Sequence, residues 1–210
     1  MNKREKSVIW LLLLIFLIVV FLASGTYAYF ATKDFYHGNF DVEVETKGVD
    51  TLEFDTGKSV EIKADVSNFT QGIGSDVSGN TTIDVKLHTT KDTAKYCYEI
   101  MMQLPEKEIF SYSKDENTPE LLLTIENSSD GINYTKVIDK MDITTKTGKI
   151  MVPVSKGSNE YIHEISAIKN IEKISYWNAQ ITLVWLADVD QKINDLKKYN
   201  ATFKANIIDC

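Results

Sequence analysis

From Phe40 onward the chain keeps returning to one pattern, in which apolar residues alternate with polar ones. Phe40, Val42 and Val44 alternate with Asp41, Glu43 and Glu45, the period-two signature of a strand with one buried and one solvated face. The same alternation runs through Val60, Ile62, Ala64 and Val66, then Ile83, Val85 and Leu87, then Tyr96, Tyr98, Ile100 and Met102, where Cys97 points to the opposite side. Leu121 to Ile125 makes another run just after Pro119, a residue that can open a strand but not sit centrally in one. Turn-forming clusters such as Gly72 to Asn80 and Asn127 to Gly131 separate these runs. Short strands spaced in this way predict an all-β sandwich rather than βαβ units.

Three later stretches carry more specific expectations. Thr145-Lys146-Thr147-Gly148-Lys149 reads as a hairpin turn joining a strand over Met141 to Thr144 with one over Ile150 to Val154. Ala179 to Leu186 is apolar on both faces, with Ile181, Leu183 and Trp185 on one side and Val184 and Leu186 on the other, which predicts a central, covered strand. In residues 158–176, Ile162, Ile165, Ile168, Ile171 and Ile174 recur every three residues, as in a helix behind Ser158 or Asn159, whereas Tyr161, His163 and Ile165 alternate as in a strand. Both readings stand at this point.

The amino terminus decides the compartment. An unbroken apolar run from Val8 to Ala23 follows Lys3, Arg4 and Lys6 and is followed by Ser24-Gly25-Thr26-Tyr27-Ala28, the order of charge, apolar core and small residues found in an export signal. Thr26 and Ala28 predict a cut between Ala28 and Tyr29. The run also lies close to the roughly 20 apolar residues that span a bilayer, so residues 1–28 are a signal helix or a retained membrane anchor. Either way, the positive cluster keeps the amino terminus inside and sends the remainder out. That remainder, residues 39–210 above all, has the length of one domain. Val8 to Ala23, if uncleaved, is the expected membrane contact.

Charge and cysteine usage fit that compartment. The chain carries −7, and removing the basic signal makes the rest more acidic still, which disfavours nucleic acid and anionic lipid as partners. Cys97 and Cys210 are the two cysteines, and export to an oxidising space makes a bridge between them the expectation.

Motifs for catalysis are absent. Gly72-Ile73-Gly74 through Gly79 has neither dinucleotide-loop spacing nor a phosphate-loop Lys-Ser/Thr, and no H-E-x-x-H occurs, so neither an enzyme nor a cofactor is expected. Asp188, Asp190 and Asp195 cluster oxygen ligands in a manner that suits calcium, but without the glycine and the glutamate of an EF-hand loop they read first as turn residues. Tyr176, Trp177 and Trp185 could stack on a sugar and so make the chain a glycan-binding module, although core packing is the commoner use of such tryptophans.

The segments Ser24-Gly25-Thr26-Tyr27-Ala28, Tyr29-Phe30-Ala31-Thr32-Lys33-Asp34 and Gly38-Asn39-Phe40-Asp41-Val42 resemble the start of camelysin/TasA-type surface proteins of Gram-positive bacteria. Looser is the resemblance of Tyr96-Cys97-Tyr98, Trp177-Asn178 and Ile181 to Leu186 to uncharacterised exported proteins of Firmicutes. The first resemblance implies a jelly-roll-like β-sandwich, processing by a SipW-type signal peptidase, and assembly into extracellular matrix fibres. In such fibres the mature amino-terminal segment is a donor strand that fills an open edge of the next subunit. By that resemblance residues 29–38 are the donor here, with Phe30, Phe35 and Tyr36 as anchors, and the main partner is a second copy of the chain. The expected function is an exported structural or adhesive surface protein. Its rivals are an anchored receptor or adhesin, and a secreted glycan-binding module.

Overall fold

The computed structural model describes the backbone of Val42–Thr46 and residues 50–69 and 74–210. The export segment with its Ala28–Tyr29 cut, the donor residues Phe30, Phe35 and Tyr36, and the Gly72-Ile73 part of the glycine loop lie outside the described residues. Among those described, no helix is long and apolar enough to cross a membrane.

Among the described residues eleven strands follow one another: β1 (Val42–Thr46), β2 (Asp50–Thr56), β3 (Val60–Lys63), β4 (Val77–Thr89), β5 (Thr93–Gln103), β6 (Leu121–Ser128), β7 (Thr135–Asp142), β8 (Lys149–Met151), β9 (His163–Ile168), β10 (Lys173–Leu183) and β11 (Lys198–Ile208). They form two antiparallel sheets. One has six strands in the order β1-β2-β4-β10-β6-β7; the other runs β3-β11-β5-β8, with β9 also on β5. The chain changes sheet at most of its connections, and the all-β sandwich expected from the alternation is the observed fold.

The core lies where the apolar phase of each strand meets the opposite sheet. Ile83, Val85 and Leu87 of β4, Ile100 and Met102 of β5, and Leu121, Leu123 and Ile125 of β6 are fully buried. They pack with Ala179 and Ile181 of β10 and with Tyr199 and Phe203 of β11. Cys97 faces away from this core, as its place in the alternation requires, and is bonded to Cys210 across 113 residues.

Several expectations need correction. Residues 145–149 do turn, with Gly148 at φ 81°, but they join no hairpin. β7 pairs with β6, while β8 pairs with β5 in the other sheet. Gly148 is held across that gap, its carbonyl accepting from Leu104 N at 2.7 Å and from Gln103 Nε2 at 3.1 Å. The strand beginning at Val60 ends at Lys63, and Val66 falls in a 3₁₀ turn over Val66–Phe69. β10 is central, between β4 and β6, but it stops at Leu183 and is covered on one face only. Val184 and Leu186 then leave the ladder, their amides donating to Glu120 O at 2.8 Å and Gln191 Oε1 at 2.7 Å. In residues 158–176 the strand reading prevails: His163, Ile165 and Ala167 of β9 point inward, and Ile162, Ile168 and Ile171 are exposed.

Candidate functional site

The outer face of the six-stranded sheet is chemically unlike the rest of the surface. Because Trp177, Ala179 and Ile181 of β10 point into the core, the alternate residues Ile174, Tyr176, Asn178, Gln180 and Thr182 point outward. Register then sets their neighbours. Tyr176 lies between Asp84 of β4 and Ser128 of β6, Asn178 between Thr82 and Glu126, Gln180 between Asn80 and Thr124, and Thr182 between Ser78 and Leu122. The result is a ladder of amides and hydroxyls bounded by carboxylates, with an aromatic ring near one end.

Local packing holds that end in place. A Cβ on Gly131 would lie 3.3 Å from the Tyr176 ring, so the bare glycine in the β6–β7 turn, at φ 73°, lets that ring pack closely against the backbone. The turn is fixed by Asp130, whose Oδ1 accepts from the amides of Ile132 and Asn133, both at 2.8 Å. These bonds, with that from the Asn133 side chain at 2.7 Å, hold the Asp130 carboxyl well below the usual range, the Asn133 amide contributing most. Tyr134, 41% exposed, has its phenol pushed up by partial burial and then by the nearby charges of Asp84, Tyr176, Asp130 and Glu126. Burial likewise raises the Asp84 carboxyl, with Lys86 opposing and Asp55 reinforcing the shift. Lys86 pairs with Asp55 at 3.3 Å. The five-stranded sheet presents a different outer face, where Lys95 pairs with Glu164 at 2.7 Å, Lys63 with Glu61 at 3.2 Å, and Asn206 bonds Glu99 at 3.1 Å.

Of the three aromatic residues expected as a sugar platform, one belongs to this face. Tyr176 is on it, but Trp177 is 2% exposed and packs edge-on against His163 with ring centroids 4.7 Å apart. Trp185 lies beyond the end of β10, half-buried, beside Gly74. Tyr134 and Gln180 were not among the residues singled out from sequence, and Asn178 entered only through the looser resemblance, with no binding role. Asn178 and Gln180 belong to the polar phase of β10 and Tyr134 to the connection just before β7, and nothing in a one-dimensional alternation marks one polar phase as different from another.

A second feature lies at the edge of the five-stranded sheet. Lys198 to Ala201 of β11 pair with β3, whereas Thr202 to Ile208 pair with β5 on the opposite side. Among the described residues, nothing pairs with the β3-side edge of Thr202 to Ile208. Alternate backbone N–H and C=O groups face that open lane, and Ala205 and Ile207 beside it are partly buried against the core. The other sheet's β7 edge is blunted instead, by register shifts against β6, by Lys140 at φ 51°, and by Lys136 and Lys156 on Asp139 at 3.1 and 3.2 Å.

The aspartates considered for calcium line an open cavity of about 470 Å³ together with Val66, Phe69 and Val189. Asp190 shows turn chemistry, accepting from Lys192 N at 3.2 Å and lying 3.7 Å from its Nζ. Asp188 is exposed, Asp195 half-buried. Among the described residues no three His, Cys, Asp or Glu side chains gather as metal ligands.

No protein-family model and no curated protein matches the chain. Among solved structures, TmCBM61 in complex with β-1,4-galactotriose is similar at 11% identity and TM-score 0.23, over 81% of this chain and 88% of the other. The VP2 subviral particle of infectious bursal disease virus is similar at 13% identity and TM-score 0.28, over 77% of this chain and 33% of the other. A carbohydrate-binding module from Cellvibrio mixtus lichenase 5A, in complex with cellotriose, is similar at 11% identity and TM-score 0.19, over 82% and 88%. Scores this low assign no role to any residue of this chain.

Proposed function

We propose that the protein is an exported, extracytoplasmic surface subunit, structural or adhesive and without catalytic activity, that assembles with copies of itself by strand addition. The observation that carries this reading is the lane beside Thr202 to Ile208, which no described strand occupies. An incoming strand would lie end to end with β3, exchange main-chain hydrogen bonds with β11, and cover Ala205 and Ile207 with alternate side chains. Residues 29–38 of another copy are the proposed donor, with Phe30, Phe35 and Tyr36 as anchors, in keeping with the camelysin/TasA resemblance at Ser24 to Val42. The Cys97–Cys210 bond supports the extracytoplasmic placement, since such bonds persist in oxidising compartments.

The test is the assembly state of the protein recovered from its own cells, followed by light scattering and electron microscopy as concentration rises. Concentration-dependent fibres, lost on deletion of Tyr29 to Tyr36, are expected. A monomer at every concentration, unaffected by the deletion, would overturn the reading.

A further inference from the structure

We infer that the outer face of the six-stranded sheet, centred on Tyr176, Asn178 and Gln180, binds a neutral polysaccharide chain.

The face is long and built in one direction. Ile174 to Thr182 covers roughly 27 Å at 3.4 Å per residue, so it suits an extended ligand lying along β10 better than a compact one. Its chemistry is that of a polyhydroxylated partner. The Asn80, Asn178 and Gln180 amides form no hydrogen bond with another described residue, and each offers both a donor and an acceptor to a sugar hydroxyl. Glu126 and Asp84 on either side accept from such hydroxyls, and Tyr176 with Tyr134 gives aromatic surface for the C–H face of a ring.

Charge narrows the class. Glu53, Asp55, Asp84 and Glu126 outnumber Lys86 and Lys136 on this face; Lys86 is already paired with Asp55, and Lys136, opposite Glu126, with Asp139. A uronate or sulfated chain would meet like charge, while a neutral chain presents hydroxyl donors to those same carboxylates. The ion-paired face of the other sheet offers no such array. This inference is independent of strand addition, because the face and the β11 edge belong to different sheets.

The experiment titrates the protein, as its cells export it, with cellohexaose, chitohexaose and hexagalacturonate. Saturable binding of a neutral hexasaccharide is expected, weakened about tenfold or more by Gln180→Ala and by Tyr134→Ala. The unfolding midpoint of both variants should be unchanged, and a Lys95→Ala control on the opposite face should bind as the parent does. The inference is overturned if neither neutral chain binds, if hexagalacturonate binds as tightly, or if both variants bind like the parent. Assembly is scored on the same samples, so loss of sugar binding with fibres intact, or the reverse, separates this inference from strand addition.

Discussion

Glu120 and Asn194 are 74 positions apart in sequence, and Oε2 of Glu120 accepts a hydrogen bond from Asn194 Nδ2 at 2.8 Å. The same oxygen accepts from Gln191 Nε2 at 2.9 Å, and Oε1 accepts from the amide of Ser113. Asn194 reaches on to Ser111, accepting from its amide at 2.9 Å and donating to its carbonyl at 2.7 Å. One fully buried carboxylate thus ties two long connections to the start of β6.

This gives a first prediction. Glu120→Gln preserves shape but turns one acceptor into a donor facing other donors, leaving a buried group unsatisfied. The expected loss is about 1–3 kcal/mol, read as a lower urea midpoint with an unchanged slope.

His163 makes stability depend on pH. Its ring is 5% exposed, its Nε2–H donates to the Val152 carbonyl at 3.0 Å, and it lies against Tyr98 and Trp177. Burial lowers its pKa below the usual 6.5, with the Val152 bond opposing. The unfolded chain therefore takes up this proton before the folded one does. The stability of the neutral ring is complete above 6.5 and falls as pH drops below it toward the folded value. Chemical unfolding at pH 7.5 and pH 5 should show the loss, and His163→Gln should reduce that difference. Asp50, held low first by Lys91 and then by Thr89, acts in the same direction at lower pH, where its contribution is lost below about 4.

Adjacent residues on β10 should respond in opposite ways. Trp177→Ala empties a core site and is expected to cost about 3–5 kcal/mol. Asn178→Ala, on the outer face, is expected to stay within about 0.5 kcal/mol. Thermal unfolding of the two variants checks the placement of both side chains. It also explains why Trp177→Ala would be a poor probe of sugar binding.

Reduction of Cys97–Cys210 opens a loop closed by 113 residues of separation. The loop-entropy relation gives about 4 to 5 kcal/mol as an upper figure. Cys210→Ser should therefore unfold at markedly lower denaturant than the oxidised parent, and reductant should bring the parent to the same midpoint.

The fold was legible where burial follows the alternation: Ile83, Val85 and Leu87 were read as one inward face, and all three are fully buried. What could not be read was lateral. Gly148 announces a turn through its backbone conformation, but whether the chain then doubles back or crosses to the other sheet depends on Gln103 and Leu104, more than forty residues earlier. The outer face was hidden for the same reason. Tyr176, Asn178 and Gln180 look like any solvated phase until Asp84, Glu126, Asn80 and Thr124 are laid beside them by register.

The position of β10 and β11 has a consequence for the order of events as the chain is made. β2 and β4 on one side, and β6 and β7 on the other, remain two separate fragments until β10 enters between them, and β3 and β5 likewise wait for β11. Neither sheet can close while the last forty residues are missing. The chain therefore cannot complete either sheet until β10 and β11 have been made. Its folding is then slow, because it is dominated by contacts distant in sequence.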